Sequence, residues 1–320
     1  MFLNMSLIKL GHIIILLLSL KFIIINNIRY NEISIGPFAA ISRRVRGKST
    51  MEKKDFERIN IEKEKFRYTS LDYVDYEAIS DYEICHEHNE LILLYGYDKE
   101  GNIHKYQWAC NDVEKLIKAI DNNKEDIELT FVPKEWKQSL KNIGFQVFAV
   151  WNDYFRANLD NLEPYIKPQY LEDHECEMAS EVTMSCKGQS RGFTGQSVSW
   201  ITQWMKGEEP AVSGDTKNST ILVHRIQGKL VGVLCTGIYG HNAEKGPVLW
   251  IREVAVHPDF QRKGIGRALI NQALNYGKKL GATRAFLAAD ECNEQAIHLY
   301  ETSGFVGNKD DGEIVMTRQK

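Results

Sequence analysis

Gln261-Arg262-Lys263-Gly264-Ile265-Gly266 sets two glycines two apart behind two cations. A glycine turn that opens a helix leaves backbone N–H groups without partners, and the helix dipole adds partial positive charge there. These residue types at this spacing describe an anion cradle. It is built from backbone N–H groups and the Arg262 and Lys263 charges, with no side chain at Gly264 or Gly266 to keep an anion at a distance. On the glycines alone, a plain strand-to-helix turn fits equally well. Other phosphate loops fit poorly. The dinucleotide pattern requires a third small residue where Leu269 stands. Gly47-Lys48-Ser49 has the ending of a nucleotide-triphosphate loop, but Ser42 occupies the place of its first glycine.

Such a cradle needs a strand before it and a helix behind it. Trp250 to Val256 is rich in apolar and β-branched residues and stops at His257-Pro258-Asp259, which predicts the strand. Ile265, Leu269, Ala273 and Leu280 repeat at helical spacing, with Leu274 beside them. Arg267, Asn271, Gln272, Asn275 and Lys278 take the opposite face, and Gly281 supplies a C-terminal stop.

Gln261-x-x-Gly264-x-Gly266, preceded by Glu253-Val254-Ala255-Val256-His257-Pro258, resembles the acyl-CoA loop of the GNAT N-acetyltransferase superfamily. Asn293-Glu294-Gln295-Ala296-Ile297-His298-Leu299-Tyr300 and Ser303-Gly304-Phe305 resemble that family's second signature, in the right order and at the usual separation. The resemblance runs from about Pro168 to Lys320. It implies an α+β fold, the GNAT acyl-CoA N-acyltransferase fold. There a mixed, mostly antiparallel sheet has two splayed parallel strands, here Trp250–Val256 and Arg284–Ala288. It also implies acetyl-CoA as co-substrate, with no metal. The backbone of Val254, Ala255 and Val256 would face the pantetheine arm, chiefly through Val254 and Val256. Gln261, Arg262, Lys263, Gly264, Ile265, Gly266, Arg267 and Ala268 would form the pyrophosphate cradle, and Asn293 would lie near the CoA arm.

The implied reaction is direct attack of an amine on the thioester. The amine must first lose a proton, since a free alkylamine has a pKa of about 10. Glu253 is the candidate base, directly or through water. Strand alternation puts Ile251, Glu253 and Ala255 on one side, with Arg252 and Val254 on the other. The Val256 N–H is the candidate donor to the carbonyl oxygen. By resemblance, Tyr300 protonates the leaving thiolate. Each residue has a plainer reading: Glu253 as a salt-bridge or substrate-binding acid, and Tyr300 as an aromatic packed on the core. His257 and Asp290 are lesser candidates, read as a turn residue and a strand-end residue. The expected function is therefore an N-acetyltransferase, an acyltransferase acting on a primary amine of a small molecule or peptide. The other reading is a non-catalytic acyl-CoA sensor or interaction module.

The 320 residues allow one large domain or two ordinary ones. At 43% hydrophobic and 26% charged, the composition is that of soluble globular proteins. Residues 1–50 carry seven Lys or Arg against one acid, about +6, which leaves about −9 on the rest of a chain of net charge −3. No long basic patch accompanies the core motifs, which argues against a nucleic-acid partner. An acidic body favours a cationic amine. The six cysteines are widely spread without Cys-x-x-Cys, as in reduced intracellular proteins, so a cytoplasmic location is expected. Cys85-His86-Glu87-His88 offers no evident complete ligand set and reads as surface rather than metal site.

Residues 1–50 form a hydrophobic and basic leader. His12 to Ile25 is apolar apart from Ser19 and Lys21, too short a clean run for a comfortable span, and no clear small-x-small cleavage site follows. A signal-peptide core, a membrane anchor through residues 7–25 and a leader that is not native all remain. Any membrane contact is confined to it. Residues 51–165 give an N-terminal domain. Within it, Leu91–Tyr97 and Ile103–Trp108 predict a hairpin, Val113–Ile120 a helix, Ile127–Val132 a strand, Lys134–Asn142 a helix and Gln146–Trp151 a strand. This order, with Gly144-Phe145 matching Gly304-Phe305, suggests a degenerate first copy of the same fold that lacks the glycine loop. Asp160–Pro168 is the expected linker, and 166–320 the catalytic domain. There Leu171–Ser185 and Val198–Met205 read as helices around a glycine-rich loop, Gly188–Gly195. Trp200 and Trp204 share a helix face, either lining an amine pocket or packing the core. Thr220–Ile226, Leu230–Tyr239 and Val248–Val256 read as a meander, with Arg284–Ala288 as a parallel addition. The sequence leaves the oligomeric state open.

Overall fold

The computed structural model describes residues 51–99, 101–160, 162, 165–208, 218–241 and 245–320. The leader, most of the loop expected at Glu209–Asn218 and part of the expected linker lie outside them. The chain packs as two units: residues 51–144 with 318–320, and residues 145–317.

The first unit contains α1 (Lys53–Glu62), β1 (Tyr68–Thr69), α2 (Tyr76–Ile79), β2 (Glu83–His88), β3 (Leu91–Asp98), β4 (Ile103–Cys110), α3 (Val113–Ile120), β5 (Ile127–Leu129) and α4 (Lys137–Asn142). The expected hairpin forms, with Leu91 opposite Cys110 and Asp98 opposite Ile103. β2 extends it antiparallel, and β5 joins β4 in parallel after the crossover through α3. Ile59, Leu71, Ile79, Tyr82, Ile92 and Leu94 form a buried core. On β2, Cys85 is the extra residue of a bulge, and Glu87 is gripped by the Arg58 guanidinium at 2.6 and 2.8 Å. Among the described residues no three His, Cys, Asp or Glu side chains converge as a metal site.

The second unit contains β6 (Gln146–Arg156), α5 (Cys176–Met184), α6 (Val198–Lys206), β7 (Thr220–Ile226), β8 (Lys229–Tyr239), β9 (Val248–Val256), α7 (Ile265–Lys279), β10 (Arg284–Asp290), α8 (Glu294–Thr302) and β11 (Val306–Arg318). Its strands lie in the order β11-β6-β10-β9-β8-β7. Only β9 and β10 are parallel; the other neighbours run antiparallel. β6 precedes the expected linker in the chain, yet it lies in this sheet between β10 and β11. β11 was not anticipated from sequence. No helix among the described residues is long and apolar enough to cross a membrane.

Two cores sandwich this sheet. On one face α7 supplies Ile265, Leu269, Ile270, Ala273 and Leu274, packed on Leu249, Ile251, Leu287 and Tyr154. On the other face α5 and α6 supply Ala179, Val182, Ile201 and Trp204, packed on Val223, Val233, Cys235 and Ala255. α7 buries more than its predicted stripe. Gln272 and Asn275, expected on the polar face, are buried, whereas Leu280 is exposed at the helix end. Gln272 is satisfied there: its Oε1 accepts from the Gln169 N–H at 2.7 Å and its Nε2 donates to the Val223 carbonyl at 3.2 Å.

Strand alternation along β9 also needs correcting. Ile251 pairs with Thr236 and Glu253 with Cys235, so Arg252 is the extra residue of a β-bulge. The bulge switches faces. Ile251 packs in the α7 core, whereas Ala255 packs with Trp250 in the α5/α6 core, and Val254 and Val256 lean on the α7 core. Glu253 accordingly points with Ala255 to the α5/α6 side, where Gln196 meets it.

Candidate active site

β9 and β10 pair only from Val248–Arg284 to Trp250–Phe286. Beyond that point β9 continues to Val256 and β10 to Asp290 without pairing to each other, so the parallel strands splay. The ladder with β8 decides which polar groups face the gap. His257 N–H donates to the Val231 carbonyl at 2.9 Å, which makes Val256–Gly232 a non-hydrogen-bonded pair. By alternation the main-chain groups of Val254 and Val256 point away from β8, into the splay. Those of Ala255 face Val233 instead, and its side chain is core. Ala255, expected among the cofactor-binding residues, therefore offers nothing to the gap.

The loop behaves as a helix start of unusual openness. Gly264 caps α7 with φ +79°, a left-handed conformation that favours glycine, and no side chain caps the helix. The first turn holds no acid. The N–H groups of Ile265, Gly266 and Arg267 lack intrahelical partners by position. The Ala268 N–H already donates to the Gly264 carbonyl at 3.0 Å, so Ala268 drops out of the cradle. A side chain on Gly264 would meet nothing within 4 Å, whereas one on Gly266 would come within 2.9 Å of Leu299 on α8. Gly266 is thus required for helix packing, and Gly264 for the turn. This cradle suits a pyrophosphate, being open at Gly264 and lined by N–H donors. The side chains around it are partly committed. Lys263 Nζ donates to the Asp259 carbonyl at 3.0 Å, and Arg267 holds Thr302 at the end of α8, with Nη2 at 2.9 Å from its hydroxyl. Arg262 takes φ +59° in the turn. Gln261 acts as a clamp, its Nε2 donating to the Val256 carbonyl at 2.9 Å and to Gln189 at 2.8 Å.

Glu253 is 5% exposed, and its Oε1 accepts from Gln196 Nε2 at 2.9 Å and from Arg252 Nη1 at 2.8 Å. Burial pushes its carboxyl up from the ordinary value; Arg252 and Gln196 counter only part of the rise. Tyr300 lies on the opposite side of the sheet, packed on the α7 core, with its ring 6.3 Å from those of Tyr154 and Phe305. Burial raises its phenol, and the Glu253 charge adds to the rise, so the two groups feel each other electrostatically. Asn293 Oδ1 accepts from the Ala296 N–H at 3.1 Å, which makes it the N-cap of α8.

The lesser candidates take structural roles. His257 Nδ1 accepts from the Asp259 N–H at 3.3 Å and holds the turn. Asp290, 1% exposed, accepts from the Arg191 N–H at 2.9 Å, from Arg191 Nε at 3.1 Å and from the Cys292 N–H at 3.1 Å. Burial pushes its carboxyl up, but the Arg191 guanidinium and these N–H groups outweigh that and hold it below the usual range. Trp204 is fully buried, with its indole donating to the Thr220 carbonyl at 3.1 Å; Trp200 stacks on it, half-buried, at 5.0 Å. Sequence reasoning did not single out Gln196, Cys186 or Arg252, although the resemblance puts substrate-binding elements at about Cys186 to Lys206. Cys186 Sγ donates to the Val256 carbonyl at 3.2 Å. The resemblance marks that segment but not which of its residues reach β9; Gln196 and Cys186 do so from between α5 and α6. Arg252 was hidden by the bulge.

A mixed sheet split between parallel strands, with a glycine-capped helix behind the split, defines an acyl-CoA N-acyltransferase fold. The model of the Acetyltransferase (GNAT) family matches residues 191–305. An uncharacterized N-acetyltransferase of Methanocaldococcus jannaschii is 38% identical over 108 residues, 33% of this chain and 44% of that protein. The [ribosomal protein bS18]-alanine N-acetyltransferase of Escherichia coli strain K12 is 42% identical over 52 residues, 16% of this chain and 35% of that one. The chain thus spans less than half the length of these two curated relatives. In fold it is similar to an acetyltransferase from the GNAT family from Colwellia psychrerythraea, with a TM-score of 0.52 at 14% identity, over 85% of this chain and 99% of that chain. Residues 191–305 are thus similar to the GNAT family, and the chain shares the fold of GNAT acetyltransferases.

Proposed function

We propose that the protein is an N-acetyltransferase that moves an acetyl group from acetyl-CoA to a primary amine of a small molecule or peptide. The observation that carries this is the splay of β9 from β10 beside the open, uncapped start of α7. The N–H groups of Ile265, Gly266 and Arg267 would take the pyrophosphate, and the main chain of Val254 and Val256 the pantetheine. Glu253, with its raised carboxyl, accepts a proton from the acceptor ammonium. The free amine attacks the thioester carbon, and the Val256 N–H donates to the oxygen as charge develops there. On collapse the C–S bond breaks, the nitrogen loses its second proton to solvent, and the thiolate leaves.

The donor for that thiolate is Tyr300. Its phenol gives a proton to the sulfur as the C–S bond breaks, and solvent returns a proton to the phenolate afterwards; burial, the larger cause, raises the phenol throughout. Tyr300→Phe keeps the ring packing and removes only the donor. We expect kcat and kcat/KM to fall together by about 10²-fold, with acetyl-CoA affinity little changed. Near-normal kcat with chemistry rate-limiting would reduce Tyr300 to a packing residue.

The first unit, residues 51–144 with 318–320, is proposed to be a degenerate copy of the same fold. Its order β2-β3-β4-α3-β5-α4 parallels β7-β8-β9-α7-β10-α8. The likeness to the Colwellia structure over 85% of this chain extends beyond the second unit alone.

A further inference from the structure

We infer that the acceptor carries an anionic group beside its amine and that Arg252 binds it, a specificity that rests on the acetyl-transfer reading. Arg252 is the bulged residue of β9, and its side chain is 40% exposed beside a Glu253 side chain that is 5% exposed. It therefore stands on the solvent side of the base. One guanidinium nitrogen, Nη1, is held by Glu253 at 2.8 Å. A guanidinium has five N–H donors in a fork. Among the described residues Nε and Nη2 have no hydrogen-bonding partner, so that edge is open to a carboxylate or phosphate.

The spacing restricts the acceptor further. An amine hydrogen-bonded to Glu253 and an anion hydrogen-bonded to Arg252 would sit roughly 3–6 Å apart, given bonds of about 2.8 Å to two groups already in contact. That is the separation within an α- or β-amino acid. An open Arg–Glu pair matches the opposite charges of a zwitterion, whereas a simple polyamine would bring a second positive charge against Arg252. The guanidinium also lies over the Trp250 ring at 5.8 Å, and Tyr239 packs on that ring at 5.2 Å. Both aromatics are half-buried and offer apolar surface beside the charges, which favours an acceptor with an aromatic or apolar side chain.

The test compares matched acceptors on the full chain by thiol release from acetyl-CoA. The pairs are phenylalanine against phenethylamine, tyrosine against tyramine, and O-phosphoethanolamine against ethanolamine. We expect kcat/KM to favour the anionic member of at least one pair by about tenfold or more, mainly through KM. The pair that responds distinguishes carboxylate from phosphate. Arg252→Gln should collapse that ratio toward one, and Arg252→Lys should restore part of it. Transfer without preference for the anionic members, or a preference that survives Arg252→Gln, overturns the inference and leaves the acetyl-transfer reading standing. Absence of transfer to every amine, with acetyl-CoA shown to bind, overturns both.

Discussion

Gly266 and Leu299 set the distance between the two helices that flank the splay. A Cβ at Gly266 would lie 2.9 Å from Leu299 Cδ2, so Gly266→Val must push α8 or force the leucine off its rotamer. We expect a loss of about 1–3 kcal/mol in urea unfolding. Leu299→Ala in the same chain should recover part of it, giving a coupling of about 1 kcal/mol. Strict additivity would contradict the contact. The motif was readable at this scale, since glycine types and spacing are local information. The purpose of each glycine was not. Gly264 serves the left-handed turn, whereas Gly266 serves the packing of Leu299 on α8, a tertiary contact that local sequence does not show.

Asp290 joins the end of β10 to the loop between α5 and α6. It is buried against Arg191 and two main-chain N–H groups, which hold its carboxyl below the ordinary range. A depressed carboxyl contributes stability that is complete above its unfolded value of about 3.9 and is lost as pH falls through the folded one. Asp290→Asn should lower stability at neutral pH by about 2–4 kcal/mol and flatten that acid limb. An unchanged melting temperature with an unchanged acid limb would mean that the loop is held by other contacts. Most elements of both units were legible, because hydrophobic periodicity and turn residues are written locally. What failed was the face assignment along β9, where one bulged residue inverted the alternation, and β11, whose apolar run Ile314-Val315-Met316 is short and follows the polar stretch Asn308-Lys309-Asp310-Asp311-Gly312.

Each of the two units contains a strand leading into a crossover helix, but only one leaves the helix start open. In the first unit Asn111 and Asp112 connect β4 to α3, and the Asp112 carboxylate caps the helix by accepting from the Glu114 N–H at 3.0 Å. Its own negative charge occupies the place an anion would take. The whole molecule should therefore bind one acetyl-CoA per chain; calorimetry that fits two equivalent sites would contradict this account of the first unit. The central claim is that Glu253 takes the amine proton, and the pH dependence of kcat under saturating acetyl-CoA and acceptor tests it most directly. A base must be ionised to act, so kcat should rise with pH through an apparent pKa above the ordinary glutamate value, the direction in which burial moves Glu253. Glu253→Gln should lose that limb and about 10²-fold or more in kcat. A variant that keeps both the limb and the rate would show that another group, or solvent, removes the proton.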